Sequence, residues 1–145
     1  MWSASSTSAA FCFERAGARY RIDPPLLEAI ATVESNLRPD ALHRNTDGTW
    51  DIGLMQINSI HLPGLARRGI DRESLLGKPC LSVMVGAEIL AALIARHGYG
   101  WTAVGAYNAG SAPRRAKARR RYIQRVWSHY GPLRQGFERA ARADL

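Results

Sequence analysis

The sequence predicts a mainly α-helical domain of the α+β class with one small β hairpin. Apolar residues recur at helical spacing through most of the 145 residues, whereas only residues 45–59 combine turn residues with two extended arms. Hydrophobic residues make up 46% of the chain, and a chain of this length buries one core and leaves little room for a second. We therefore expect a single compact domain over residues 11–131.

Helices are predicted on both sides of the hairpin. In the long helix predicted at residues 81–97, Met84, Ala87, Ala91 and Ile94 form an apolar stripe typical of a core helix, and Gly98 ends it. The predicted helices cover residues 11–19, 25–35, 60–68, 72–76, 81–97, 101–108 and about 112–129.

An acidic residue lies on the apolar face of the second predicted helix. Helical spacing places Glu34 on one side with Leu27, Ile30 and Ala31. Burial disfavours the charged form, so we expect this carboxyl to have a raised pKa and to donate a proton near neutral pH. Such a donor suits the departure of a glycosidic oxygen. The alternative is an ordinary helix-terminal glutamate that reaches water.

The hairpin supplies a second carboxylate. Residues 46–49 read Thr-Asp-Gly-Thr, which favours a tight turn, and the return arm carries Asp51. Two carboxylates across a groove are typical of glycoside cleavage. The amides of Gln56 and Asn58 suit sugar hydroxyl and N-acetyl groups, with turn and cap chemistry as the alternative.

Three motifs, in order, resemble those of one enzyme family. They are Ala-Thr-Val-Glu-Ser at residues 31–35, Gly-Leu-Met-Gln-Ile-Asn at 53–58 and Ala-Tyr-Asn-Ala-Gly at 106–110. The chain resembles lytic transglycosylases of the soluble-lytic-transglycosylase type, within the lysozyme-like superfamily. Cys12-Phe13 and the Pro-Pro-Leu-Leu run at 24–27 resemble the small branch that accompanies secretion, conjugation and pilus machines. The resemblance implies a lysozyme-like helical domain whose hairpin lines the active-site cleft.

The resemblance also implies the chemistry. Glu34 would cleave the β-1,4 bond between N-acetylmuramic acid and N-acetylglucosamine of peptidoglycan and yield 1,6-anhydromuramoyl products. Asp51 resembles the second acid of animal-type lysozymes, so lysozyme-type hydrolysis is an alternative, as is a wall-binding assembly module with little catalysis. We expect the Tyr107 hydroxyl to touch Glu34 or substrate. The residues expected to bind or support the glycan are Ser35, Met55, Gln56, Asn58, Tyr107, Asn108 and Tyr122.

The resemblance favours a disulfide between Cys12 and Cys80, although two free thiols fit the sequence nearly as well. A disulfide indicates an exported, periplasmic protein. Residues 1–10 lack the pattern of an intact signal peptide and are expected to be a disordered remnant near a cleavage site, with a natural cytosolic tail as the alternative. Residues 132–145 are expected to be a C-terminal tail.

The formal net charge is +8. A basic helix face attracts anionic polymers such as peptidoglycan strands, although a solvated helix face is the favoured single interpretation. No nucleic-acid motif and no stretch near membrane-span length is recognised, and the histidines lack metal-ligand spacing, so neither metal nor cofactor is expected. We expect a monomer that acts with a secretion, conjugation or pilus component. The basic residues are Arg114, Arg115, Lys117, Arg119, Arg120, Arg121 and Arg125.

Overall fold

The structure, a computed structural model, describes residues 11–143, so the predicted remnant at residues 1–10 lies outside it. Helices α1 and α2 precede a small sheet, and the remaining helices follow it. The elements are α1 (Phe13–Tyr20), α2 (Pro24–Ser35), β1 (Leu42–Arg44), β2 (Trp50–Ile52), β3 (Ile57–Asn58), a 3₁₀ turn (Ser59–His61), α3 (Leu62–Ala66), α4 (Arg72–Gly77), α5 (Pro79–His97), α6 (Trp101–Ala109), a second 3₁₀ turn (Pro113–Arg115) and α7 (Ala116–Ala143).

The helices enclose one hydrophobic core, as the sequence predicts. Helix α2 packs against α7, α7 against α6, and α6 against α5. Leu27 and Ile30 of α2, Leu90 of α5 and Val126 of α7 are fully buried there. Met55 lies over Gly86, where an added Cβ would approach its side chain to 2.8 Å, so the absence of a side chain at this position lets α5 approach the sheet.

The predicted hairpin forms from β1 and β2, and β3 extends it to a three-stranded antiparallel sheet. Strand β2 pairs with β1 and also with β3, where Asp51 lies opposite Asn58. The chain reverses between β2 and β3 through positive φ angles at Gly53 (75°) and Gln56 (51°). A Cβ on Gly53 would lie 2.8 Å from the Leu75 carbonyl oxygen, so this reversal requires glycine.

Helix α7 is longer than predicted, since it ends at Ala143 and not near residue 129. Proline removes one helical hydrogen bond, yet the helix continues through Pro132. Before that point the Tyr130 hydroxyl donates to Asp23 Oδ2 at 2.6 Å, and beyond it Arg134 pairs with Glu138 at 3.0 Å. The Tyr130 bond thus anchors the helix just before the proline, and the exposed ion pair adds a small local stabilisation beyond it. The domain boundary at residue 131 stays a prediction.

Helix α5 corrects the expectation that no stretch approaches membrane-span length. Pro79–His97 is long and apolar enough to cross a membrane by length and composition, with a mean hydropathy of 1.6. Core helices of soluble proteins pass the same test. In this fold α5 packs against α1, α4 and α6, with Val83 and Ala87 fully buried.

Cys12 and Cys80 form a disulfide. It joins the residue before α1 to the first turn of α5, positions that are 68 residues apart in sequence. The bond thus closes a long loop that contains α2 and the whole sheet.

Candidate active site

A cleft of about 1170 Å³ opens between the sheet and helices α2, α5 and α6. Glu34 reaches it from the last turn of α2, and Asp51 reaches it from the middle of β2. Folding thus brings the two predicted carboxyl groups into one cleft. The other predicted residues that line it are Gln56, Asn58, Tyr107 and Asn108.

Glu34 is half-buried at the base of this cleft. Burial, helped by the negative charge of Asp51, raises its pKa from 4.5 to about 7. Hydrogen bonding to Tyr122, the positive charge of Arg125 and the nearby Asn108 side chain act in the opposite direction. The carboxyl therefore holds its proton at neutral pH in a substantial fraction of molecules, as its place on the apolar face predicts.

Asp51 is held by two side-chain amides. Asn45 Nδ2 donates to Asp51 Oδ2 at 3.1 Å, and Asn58 Nδ2 donates to Oδ1 at 2.9 Å. Both amides also donate to Thr49 Oγ1 at 3.1 Å. The Asn58 carbonyl oxygen accepts from the backbone N–H of Ile60 and caps the 3₁₀ turn. Asn58 thus fixes the second carboxylate, and any contact with sugar would come in addition.

Gln56 lines the cleft, but its amide nitrogen donates to two backbone carbonyl groups beside the sheet. It donates to the carbonyl oxygens of Gly53 and Ala41 at 3.0 and 3.3 Å. The side chain therefore stabilises the reversal between β2 and β3 at the cleft wall.

Ser35 and Met55, which were expected to bind or support the glycan, lie behind the cleft wall. Ser35 is 5% exposed and Met55 is fully buried. The Ser35 hydroxyl donates to the Leu54 carbonyl oxygen at 2.7 Å, while the Met55 backbone N–H donates to Ser82 Oγ at 3.1 Å. These bonds join the turn that follows β2 to α2 and α5.

The hydroxyl groups of the two predicted tyrosines have different hydrogen-bond partners. Tyr122 is 3% exposed and donates to Glu34 Oε2 at 3.3 Å, so it contacts the acid from behind. The Tyr107 hydroxyl donates to the Met55 carbonyl oxygen at 2.7 Å and not to Glu34. Its ring still lines the cleft.

The transglycosylase SLT domain model matches residues 11–129, which includes every residue of this site. The chain belongs to the transglycosylase SLT family. It is thus a peptidoglycan lytic transglycosylase, an enzyme that cleaves glycosidic bonds in the cell wall.

Proteins of known sequence are similar to this chain over most of its length. The chain is 46% identical to the invasion protein IagB of Salmonella typhimurium over 129 residues, which is 89% of this chain and 81% of that protein. It is 42% identical to the protein IpgF of Shigella flexneri, covering 82% and 78% of the two chains. It is 43% identical to the X polypeptide of Escherichia coli, covering 84% and 73%.

The fold is also that of a solved lytic transglycosylase. The structure of an inactive mutant of the lytic transglycosylase Slt from Pseudomonas aeruginosa matches with a TM-score of 0.71 at 21% identity. The match covers 94% of this chain and 26% of that chain, so the chain spans about a quarter of the larger protein. It confirms the predicted lysozyme-like helical fold.

Three side chains of this SLT domain were not predicted as site residues. Asn45 and Thr49 orient Asp51, and Arg125 lowers the pKa of Glu34. Asn45 and Thr49 are polar residues close in sequence to Asp51. Their residue types are also common in turns, so the sequence did not distinguish them as site residues. Arg125 lay within a basic run that fits a solvated helix face.

Within residues 11–143, histidine, cysteine, aspartate and glutamate form no group of three that could hold a metal ion.

The raised pKa of Glu34 predicts a pH dependence for this transglycosylase. Because the protonated form is the donor, kcat/KM should fall as pH rises through about 7. The Asp51 charge raises that pKa, so Asp51→Asn should move the falling limb to lower pH. Initial rates of wall-fragment release, recorded across the pH range for the wild type and for Asp51→Asn, locate the falling limb of each enzyme. A limb that stays in place after the substitution would contradict electrostatic coupling between the two groups.

Proposed function

We propose that Glu34 acts in turn as acid and base to convert peptidoglycan strands into 1,6-anhydromuramoyl products. The observation that carries this proposal is a carboxyl group with a pKa of about 7 that lines a cleft. A group poised near neutrality is present in both protonation states and can give a proton and later accept one.

The first step would break the β-1,4 bond between N-acetylmuramic acid and N-acetylglucosamine. The Glu34 proton passes to the bridging oxygen, which leaves with the bonding electron pair as the 4-hydroxyl of N-acetylglucosamine. The muramoyl ring then carries positive charge at C1 through an oxocarbenium-like transition state. The charge of Asp51, oriented by Asn45 and Asn58, would favour that state.

The second step would close the ring without water. The muramoyl 6-hydroxyl oxygen bonds to C1, and its proton returns to the Glu34 carboxylate, so the acid is regenerated. An intramolecular hydroxyl gains from proximity over free water. Gln56, Tyr107 and Asn108 line the cleft and would hold the glycan in place.

Lysozyme-type hydrolysis is the second candidate. The observation that favours it is Asp51 itself, a carboxylate fixed by two amides in the same cleft as the acid. Two carboxyl groups are the usual equipment of glycoside hydrolysis. In that reaction water takes the place of the 6-hydroxyl and leaves a reducing end.

The cellular role would be local opening of the wall in the periplasm for a secretion or pilus apparatus. Support comes from the 46% identity to a protein named for invasion and from a disulfide, which persists in oxidising compartments. Binding of sacculi with no released fragments would instead favour a wall-binding module.

Mass spectrometry of the fragments released from purified peptidoglycan tests the reaction. We expect products one water lighter than hydrolysed muropeptides from both the wild type and Asp51→Asn. Reducing-end products from the wild type would mean that the chain is a hydrolase. If the wild type makes reducing-end products and Asp51→Asn does not, hydrolysis depends on Asp51.

A further inference from the structure

The two ends of the cleft differ in charge. Asp47 and Asp51 lie at the sheet end. Arg68 and Glu88 also line the cleft, but they form an ion pair at 2.8 Å and neutralise one another. Two further cleft-lining residues, Arg96 and Arg115, are exposed, and neither forms an ion pair with any carboxylate of residues 11–143. We call this pair the cationic rim.

Hydrogen bonds join the chain segments that carry the two arginines of the cationic rim. Next to Arg96, His97 Nε2 lies 2.9 Å from Ser111 Oγ, which joins the end of α5 to the segment after α6. Arg115 follows that segment, and its Nε donates to the Ala109 carbonyl oxygen at 3.4 Å. The rim thus lies on the wall that also carries Asn108, the residue whose side chain lies near Glu34.

The substrate carries the complementary charge. Each muramoyl ring bears a lactyl group, which ends in a carboxylate when free and in a peptide stem with its own carboxylates when substituted. A peptide reaches about 3.3 Å per residue, so a stem extends well beyond the sugar that bears it. Arginine favours carboxylates through paired donors in one plane.

We propose that the cationic rim is a subsite for the carboxylates of the muramoyl substituent, so that Arg96 and Arg115 select peptide-bearing strands and orient them in the cleft. The aspartates at the sheet end would repel the same carboxylates, which gives the cleft a preferred direction for the strand. This inference rests on the proposed cleavage at Glu34 and adds the part of the substrate that is recognised beyond the sugar.

The test compares two purified substrates, glycan strands that keep their peptide stems and strands stripped of them by an amidase, which exposes the lactyl carboxylate. The variants are Arg96→Gln, Arg115→Gln and both together. Arg114→Gln is the matched control, because it removes the same charge one residue away, on an exposed side chain that does not line the cleft. Kinetic constants are measured at low and high salt.

We expect the double variant to lose about tenfold in kcat/KM on peptide-bearing strands, mainly through KM, and each single variant about fivefold at most, as for exposed ion pairs. High salt should shrink the difference between wild type and variants. An equal or larger loss on stripped strands would assign the rim to the lactyl carboxylate and would overturn its selection of peptide-bearing strands. Losses no larger than those of Arg114→Gln on both substrates would overturn the subsite.

The same experiment separates failure of this subsite from failure of the proposed reaction. If the wild type cleaves both substrates and the rim variants cleave them at the same rates, the subsite is refuted and the proposed chemistry stands. Wild type that releases no fragment from either substrate refutes the cleavage itself. Binding of the Glu34→Gln variant to each substrate provides a second readout that does not depend on turnover.

Discussion

The Glu34→Gln variant is expected to lose about 10²- to 10⁴-fold in kcat, the range that a positioned acid or base contributes. Glutamine keeps the size of the side chain but neither donates the proton to the leaving oxygen nor accepts one afterwards. Release of soluble fragments from purified peptidoglycan measures the loss.

Glu28→Gln is the matched control for that experiment. Glu28 is on the same helix, burial also raises its pKa, and its side chain does not line the cleft. We expect this variant to keep nearly full activity. Near wild-type turnover by Glu34→Gln would refute the assignment of Glu34 as acid and base.

Glu34→Gln is also expected to change how the free energy of unfolding depends on pH. The pKa of Glu34 is about 7 in the folded chain and ordinary, near 4.5, when unfolded. Its contribution to the free energy of unfolding is therefore fully present below pH 4.5 and is lost as pH rises through 7. Glutamine does not ionise, so Glu34→Gln should resist unfolding better than wild type above pH 7. A stability loss at pH 8 would contradict the burial of this carboxyl.

Replacing Cys12 and Cys80 together with alanine should lower the free energy of unfolding by roughly 2–5 kcal/mol. The bond closes a loop across 68 positions and ties α1 to α5, so its loss releases a long segment in the unfolded chain. Denaturant titrations of wild type and of the double variant, each with and without reductant, measure the change.

Reductant provides the control for the disulfide. It should destabilise the wild type to about the level of the double variant and should leave the double variant unchanged. Equal stability of the wild type in both conditions would mean that the disulfide does not support the fold.

The chemistry of the site was predictable where local geometry alone decides it. Helical spacing places Glu34 on the face of Leu27 and Ile30, and that face is buried because its apolar side chains pack into the core. The turn at residues 46–49 likewise sets the arm that carries Asp51.

Features that depend on packing between distant segments were not predictable. Asn58 reaches Asp51 because β3 pairs with β2, and the sequence does not specify that third strand. The Tyr107 hydroxyl can donate to the Met55 carbonyl oxygen only when α6 lies against the turn after β2. Helix α7 continues past Pro132, and the bond from Tyr130 to Asp23, a residue distant in sequence, anchors the helix just before it.

The ionisation of Glu34 is the property on which the proposed chemistry rests. Its most direct measurement is a titration of the side-chain carboxyl by ¹³C nuclear magnetic resonance in the folded enzyme, with Glu34→Gln to assign the signal. We expect a pKa of about 7 that falls in Asp51→Asn. A titration near the ordinary value of 4.5 would show that the carboxyl is ionised at neutral pH and would contradict its role as the proton donor.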